Sequence, residues 1–253
     1  MLLSHPLAPA LASCLARSHR ACQRVLLEVE RQQRGLQDDL ALLRRGRLLP
    51  PAPLCPTEGE SFRAALAGER RGVILWMLHE ANYLRLLLGL GAALGEDRRV
   101  TVLRARRQPQ ERATLEASAR ALGLTLTVLE GPGQSRALLR ALRRGSVVVL
   151  LGDALPGMHD GPVASEPVLG RPLPFSTGPF RLAARGPYAL LPLAFLPRHG
   201  AEGGLRLLPG PALAPGPTAL AAAAGFFQRW LTEAPARWLL WHRFLTLPPD
   251  PRT

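Results

Sequence analysis

The chain has 253 residues, and 32 Lys+Arg against 19 Asp+Glu give it a formal net charge of +13 at pH 7. No Lys occurs, every one of those cations is Arg, and Ile74 and Asn82 are the single Ile and the single Asn, so the basic balance reads first as the codon preference of a GC-rich genome. With 47% hydrophobic residues beside 24 Gly and 25 Pro, the apolar material suffices for one sizeable core, which excludes wholesale disorder.

Cys14, Cys22 and Cys55 are odd in number, follow no zinc-ligand spacing, and read as free thiols of a reducing compartment. No apolar run approaches the roughly 18–20 residues that span a bilayer. The opening Met1-Leu2-Leu3-Ser4-His5-Pro6 carries a proline and lacks a basic leader, so no signal peptide is expected. The expected location is the cytoplasm.

Along the chain, 11–49 has helical periodicity in Val25, Leu26, Val29, Leu36, Leu40 and Leu43. Pro50-Pro51-Ala52-Pro53 stops that helix and reads as a linker. This divides the chain into an N-terminal helical extension with linker, 1–56, and an α/β domain, 57–253. Continuous apolar runs at 72–78, 100–103, 124–129 and 146–151 predict buried strands, with helices at 82–94, 109–122 and 134–144 between them. Further strands are expected at 188–195 and 205–208, and helices at 217–233 and 235–246. Strands alternating with helices of this length predict a mixed, largely parallel central sheet flanked by helices.

Active residues of such sheets gather where strands hand over to loops. His79 follows the first strand directly and can serve as a general base if a carboxylate orients its other nitrogen. Asp153 occupies the matching place after the fourth strand, although Asp beside Pro156-Gly157 also suits a plain turn. Gly89-Leu90-Gly91 sits at a helix end with the wrong spacing for a dinucleotide fingerprint, and no Walker loop or nucleophile elbow occurs. His159-Asp160 is too small a group for a metal centre. Arginines gather at 44–47, 104–107 and 140–144, which suits anionic lipid or an acidic partner. Nucleic-acid readers add stacking aromatics, and here only 5% of residues are aromatic; Trp230, Trp238, Trp241 and Phe244 have the spacing of a core stripe.

From about Gly72 to Phe244 the order of these pieces resembles the bacterial lipid A biosynthesis acyltransferases, the lauroyl/myristoyl branch of the lysophospholipid acyltransferase superfamily. His79 stands where that family places its H-x-x-x-x-D/E motif. Arg104 and Pro109 resemble its tyrosine-arginine-proline block. Asp153 with Pro156-Gly157, then Gly170-Arg171-Pro172 and Ser176-Thr177-Gly178-Pro179, resemble the loops that follow. Pro235-Ala236-Arg237-Trp238 through His242-Arg243 is similar to the closing P-x-x-W-x-x-x-H-R signature.

The resemblance implies an enzyme that moves a fatty acyl group from a thioester donor, acyl-carrier protein or acyl-CoA, to a hydroxyl of a glycolipid or lysolipid. It implies peripheral contact with the inner face of the cytoplasmic membrane and no cofactor beyond the thioester substrate. His79 would be the base; Asn82, Arg104, Asp153, Gly170, Arg171, Thr177 and Gly178 would bind substrate. One position departs from the pattern: five residues after His79 stands Leu84, where the family has the carboxylate that orients the imidazole. Glu80 is the nearest replacement in sequence and the second catalytic candidate, although side chains of adjacent residues generally point apart. Glu96, Asp97 and Asp153 qualify only if the fold delivers them. The same departure motivates the alternative, a catalytically inactive relative that binds lipid or acyl carrier as a partner subunit.

Overall fold

The apolar runs that read as strands pair into one sheet. The computed structural model describes residues 5–67, 71–95, 98–104, 108–158, 161–198 and 204–248. Its elements follow in the order α1 (Ala8–Leu15), α2 (His19–Arg44), α3 (Pro56–Ala67), β1 (Val73–Met77), α4 (Tyr83–Leu94), β2 (Val100–Arg104), α5 (Pro109–Ala121), β3 (Leu126–Glu130), α6 (Ser135–Arg143) and β4 (Val147–Leu151). They continue with β5 (Val163–Val168), β6 (Arg171–Ser176), α7 (Gly178–Ala183), β7 (Ala189–Pro197), β8 (Leu205–Pro209), α8 (Ala219–Glu233), a 3₁₀ turn at Pro235–Arg237 and α9 (Trp241–Phe244).

The six-stranded sheet has the order β3-β2-β4-β1-β7-β8. Its first five strands are parallel, and β8 joins the β7 edge antiparallel. The chain is thus an α/β protein with a mixed, mostly parallel sheet flanked by helices. β1 lies centrally and is buried along its whole length, as a strand covered on both faces must be. Successive side chains alternate between two cores. Ile74, Trp76, Val148 and Leu150 pack with α6, α7 and α8 on one face, while Val73, Leu75, Val147 and Val149 pack with α4 and α5 on the other.

This arrangement creates a switch point. From β1 the chain crosses towards β2 through α4 on one face; from β4 it crosses towards β7 through α7 on the other. The connections leave the adjacent strands β1 and β4 in opposite directions, the place where open α/β sheets gather their active residues at the carboxyl ends.

The N-terminal segment departs from one continuous helix. Ala16 adopts a left-handed conformation (φ 49°), and Ser18 then caps α2 by accepting from the Ala21 N–H. α2 contributes Cys22, Leu26 and Val29 to one core and Leu40 and Leu43 to the other, with Leu36 touching both. A helix serving both faces must pass over an edge of the sheet. Gln33 Nε2 donates to the Leu239 carbonyl at 2.7 Å, and a Cβ on Gly35 would lie 3.8 Å from Asn82 Oδ1, so α2 passes over the carboxyl ends of the strands. Arg85 of α4 holds it there through Asp39, Nη2 to Oδ1 being 2.6 Å. The Pro-rich stretch is pinned as well: the Cys55 N–H bonds the Leu205 carbonyl at the β8 edge and the Ala52 N–H bonds the Arg85 carbonyl.

The expected helix at 235–246 is instead the 3₁₀ turn, an extended Trp238 and the short α9. Helices α3 and α7 and the antiparallel pair β5–β6 add to the expected elements.

Gly152, between β4 and Asp153, is required by close approach. A Cβ there would fall 1.5 Å from Trp76 Nε1, and the indole cannot retreat because Phe175, Phe180 and Phe227 wall it in with centroids 4.9–5.5 Å away. Gly152→Ala is expected to destabilise the protein by about 3 kcal/mol, the upper end for overpacking, measurable as a lower urea midpoint with unchanged slope.

Candidate active site

The parallel register of β1 with β4 pairs Met77 with Leu151. His79 and Asp153 each stand two residues beyond that pair, at the same level, on adjacent strands and on the same face. Side chains 74 residues apart in sequence therefore meet: His79 Nδ1 lies 2.6 Å from Asp153 Oδ1. The His79 main-chain N–H also donates to both carboxylate oxygens, at 3.1 and 3.0 Å. Trp238 Nε1 donates to Oδ2 at 2.8 Å.

Asp153 is buried, its side chain 0% exposed, while the His79 side chain retains 27% exposure. Burial alone would raise the Asp153 carboxyl, but the charge of His79 and the hydrogen bonds from its ring, from Trp238 and from the His79 main chain outweigh it, and the group lies below its ordinary value. An ionised carboxylate only accepts, so Nδ1 carries the shared proton; when that is the ring's one proton, Nε2 has a lone pair. Among the described residues none hydrogen-bonds Nε2. The arrangement can therefore take a proton from a group presented at that nitrogen, with the resulting imidazolium stabilised from behind.

Glu80 goes elsewhere. It is 1% exposed, and its Oε1 accepts from Arg237 Nε at 3.1 Å and from the Phe195 N–H at 3.2 Å. It makes no hydrogen bond to His79; the second catalytic candidate of the sequence is instead a clamp on the 237–239 segment. Burial pushes its carboxyl up to about 8 against the opposing pull of Arg237. Between the unfolded Glu value near 4.3 and about 8 the native state holds the extra proton, so Glu80 costs stability progressively as pH rises through that window. Glu80→Gln keeps an acceptor and cannot titrate. Its Tm relative to wild type is therefore expected to climb between pH 5 and pH 8, as calorimetry across that range would read; a constant difference would contradict the assignment.

Asn82 caps α4 in a left-handed conformation (φ 59°) without a side-chain capping bond. Asn tolerates this region, and the turn it makes brings Tyr83 beside His79, ring centroids 6.3 Å apart. Leu84 points into the core on the α4 face and is fully buried.

Arg104 ends β2, beside β4, at the same edge of the sheet. It is buried; its Nη2 donates to Glu111 Oε2 at 3.1 Å, and Glu111 also takes Arg44 Nε at 2.6 Å. Arg104 Nε lies 4.0 Å from Glu130 Oε1, and neither Nε nor Nη1 has a hydrogen-bond partner among the described residues. Ser176 N donates to the Gly152 carbonyl at 2.7 Å, which sets Thr177 and Gly178 next to the site, although the Thr177 hydroxyl donates to the Pro162 carbonyl. Gly170 and Arg171 are not brought to His79. They form the β5–β6 turn and its exit, four residues along β6 from Phe175, which bridges Asp153, and four residues of strand cover about 13 Å. Arg171 Nη1 donates to the Leu247 carbonyl instead.

Glu96, Asp97, the 105–107 stretch and His159-Asp160 lie outside the described residues. Among the described residues no group of three His, Cys, Asp or Glu could hold a metal ion, and no helix is long and apolar enough to cross a membrane. Arg237 and Trp238 are site residues that sequence reasoning left in the closing signature and the core stripe. No protein-family model matches the chain, and no curated protein matches it in sequence.

Proposed function

We propose that the chain is an O-acyltransferase that moves a fatty acyl group from a thioester donor to a hydroxyl of a glycolipid or lysolipid, with His79 as the base. The observation that carries this reading is the His79–Asp153 pair, 2.6 Å apart, at the switch point of the parallel sheet with Nε2 open.

In the reaction, Nε2 takes the proton of the acceptor hydroxyl while its oxygen attacks the thioester carbonyl carbon. The tetrahedral intermediate collapses with cleavage of the C–S bond, and the imidazolium returns the proton to the departing sulfur. The products are an ester and a free thiol. Asp153 holds the ring in the required tautomer and stabilises the imidazolium throughout. Nη1 of Arg104, without a hydrogen-bond partner among the described residues, would be its donor to a phosphate of either substrate, and Asn82, Thr177 and Gly178 would stand beside the reacting groups. An acidic acyl carrier, acyl-CoA and an anionic lipid each suit the arginine-rich exterior.

Purified protein supplied with acyl-carrier or coenzyme A thioesters and candidate lysolipid or glycolipid acceptors is expected to release thiol and form ester, and His79→Ala to abolish both. Activity retained in His79→Ala would remove His79 from its role. Binding of acyl carrier or lipid without turnover would favour an inactive partner subunit.

A further inference from the structure

We propose that Trp238 is a positioning residue of the His79–Asp153 pair: its indole N–H holds Oδ2 of Asp153 so that Oδ1 stays aimed at Nδ1 of His79. The main-chain N–H of His79 lies nearly equidistant from both oxygens, 3.1 and 3.0 Å, so it anchors the carboxylate without choosing between them. The indole makes the choice, reaching Oδ2 alone at 2.8 Å.

The indole is itself fixed from two sides. Its ring packs edge-on against Trp241 and Phe244, with centroids 5.0 and 5.3 Å away. Its backbone is paired to the loop that carries His79: the Leu239 N–H bonds the His79 carbonyl at 3.0 Å, and the Ala81 N–H bonds the Arg237 carbonyl at 2.7 Å. Glu80 and Trp238 form an antiparallel bridge, and Arg237 closes it by donating to Glu80. Imidazole, carboxylate and indole are thus registered by one short pairing between the segment after β1 and the segment after α8.

The other indoles make a useful contrast. Trp230 and Trp241 donate to the main-chain carbonyls of Phe195 and Pro235, and Trp76 Nε1 has no hydrogen-bond partner among the described residues. Trp238 alone among the four donates to a carboxylate. A phenylalanine would fill much of the same space, so what the indole adds is the N–H.

The proposal rests on His79 being the base, but its test does not need turnover. The carboxyl carbon of Asp153 is followed by NMR against pH in wild type, Trp238→Phe and Trp241→Phe. Trp238→Phe removes a hydrogen bond to the charged form, so Asp153 is expected to titrate at higher pH than in wild type. Trp241→Phe removes a neighbouring ring of the same cluster and leaves the titration unchanged. A Trp238→Phe titration equal to wild type, or one that Trp241→Phe matches, overturns the assignment.

If Trp238→Phe does not fold, the indole N–H resonances of Asp153→Ala decide: the Trp238 signal moves upfield while those of Trp230 and Trp241 stay, and an unmoved Trp238 signal overturns the proposal. Where acyl transfer is measured, Trp238→Phe lowers kcat about tenfold with little change in KM, the effect of one charge-assisted hydrogen bond. A chain that transfers no acyl group sinks the acyltransferase reading and leaves the titration result standing.

Discussion

With acyl transfer as the proposed reaction, replacing Asp153 with Asn is expected to lower it about 10⁴-fold, the loss seen when a serine-protease triad exchanges its orienting carboxylate for an amide. The argument runs through the donors around this side chain. Oδ2 accepts from Trp238 at 2.8 Å and Oδ1 meets His79 Nδ1 at 2.6 Å. An Asn offers one acceptor where the site requires two. If its carbonyl oxygen serves Trp238, its NH₂ faces Nδ1 and the imidazole must carry its proton on Nε2, the atom that has to accept one. If the amide flips, two donors meet at Trp238. The first arrangement is the less costly, and it leaves a folded protein with a disabled base. Turnover kinetics beside a thermal melt would separate the two effects; a variant with near-normal kcat would show that another group orients His79.

The strands were legible because continuous apolar runs such as 72–78 and 146–151 have few alternatives to a covered parallel sheet. His79 was legible as a residue at a strand end. Its partner was legible only as one of three carboxylates the fold had to deliver, because adjacency in the sheet is not adjacency in the chain. Asp153 stands at the matching place after β4, yet nothing in the sequence states that β4 inserts between β1 and β2. The spacing of the resembled motif points five residues on, to Leu84, and sequence proximity points to Glu80; the crossover topology supplies the carboxylate from elsewhere.

Two further misses have local causes. No strand is expected at 163–176; Pro167, Pro172 and Pro174 argue against a central strand, but a two-stranded ribbon tolerates them. The break between α1 and α2 falls at Ala16, a residue that gives no warning of a left-handed backbone. Trp238 was visible in the closing signature and in a spaced aromatic set, but neither a motif position nor periodicity says where its N–H points.

Leu84→Glu, which would supply the carboxylate of the resembled H-x-x-x-x-D/E motif, is expected to unfold the protein rather than improve it. Leu84 is 0% exposed, packed in the same core as Leu87, Leu88 and Val149. A Glu there exchanges that packing for a buried carboxyl. It lies in the first turn of α4, where a negative charge gains up to about 1 kcal/mol from the helix dipole. Against this stand the lost burial of a Leu side chain, about 2–3 kcal/mol, and the desolvation of a carboxyl, several kcal/mol more unless it finds a partner. The partner it would need is already taken: Nδ1 of His79 is bound by Asp153, and the left-handed turn at Asn82 separates position 84 from the imidazole. The balance is a loss of at least about 4 kcal/mol, roughly 10 °C in Tm for a chain of this size, or no soluble protein at all. The discriminating result is the opposite one. A Leu84→Glu variant that melts with wild type and turns over faster would mean that His79 can be oriented from α4, and Asp153 would then be a structural acceptor for Trp238 and the His79 main chain.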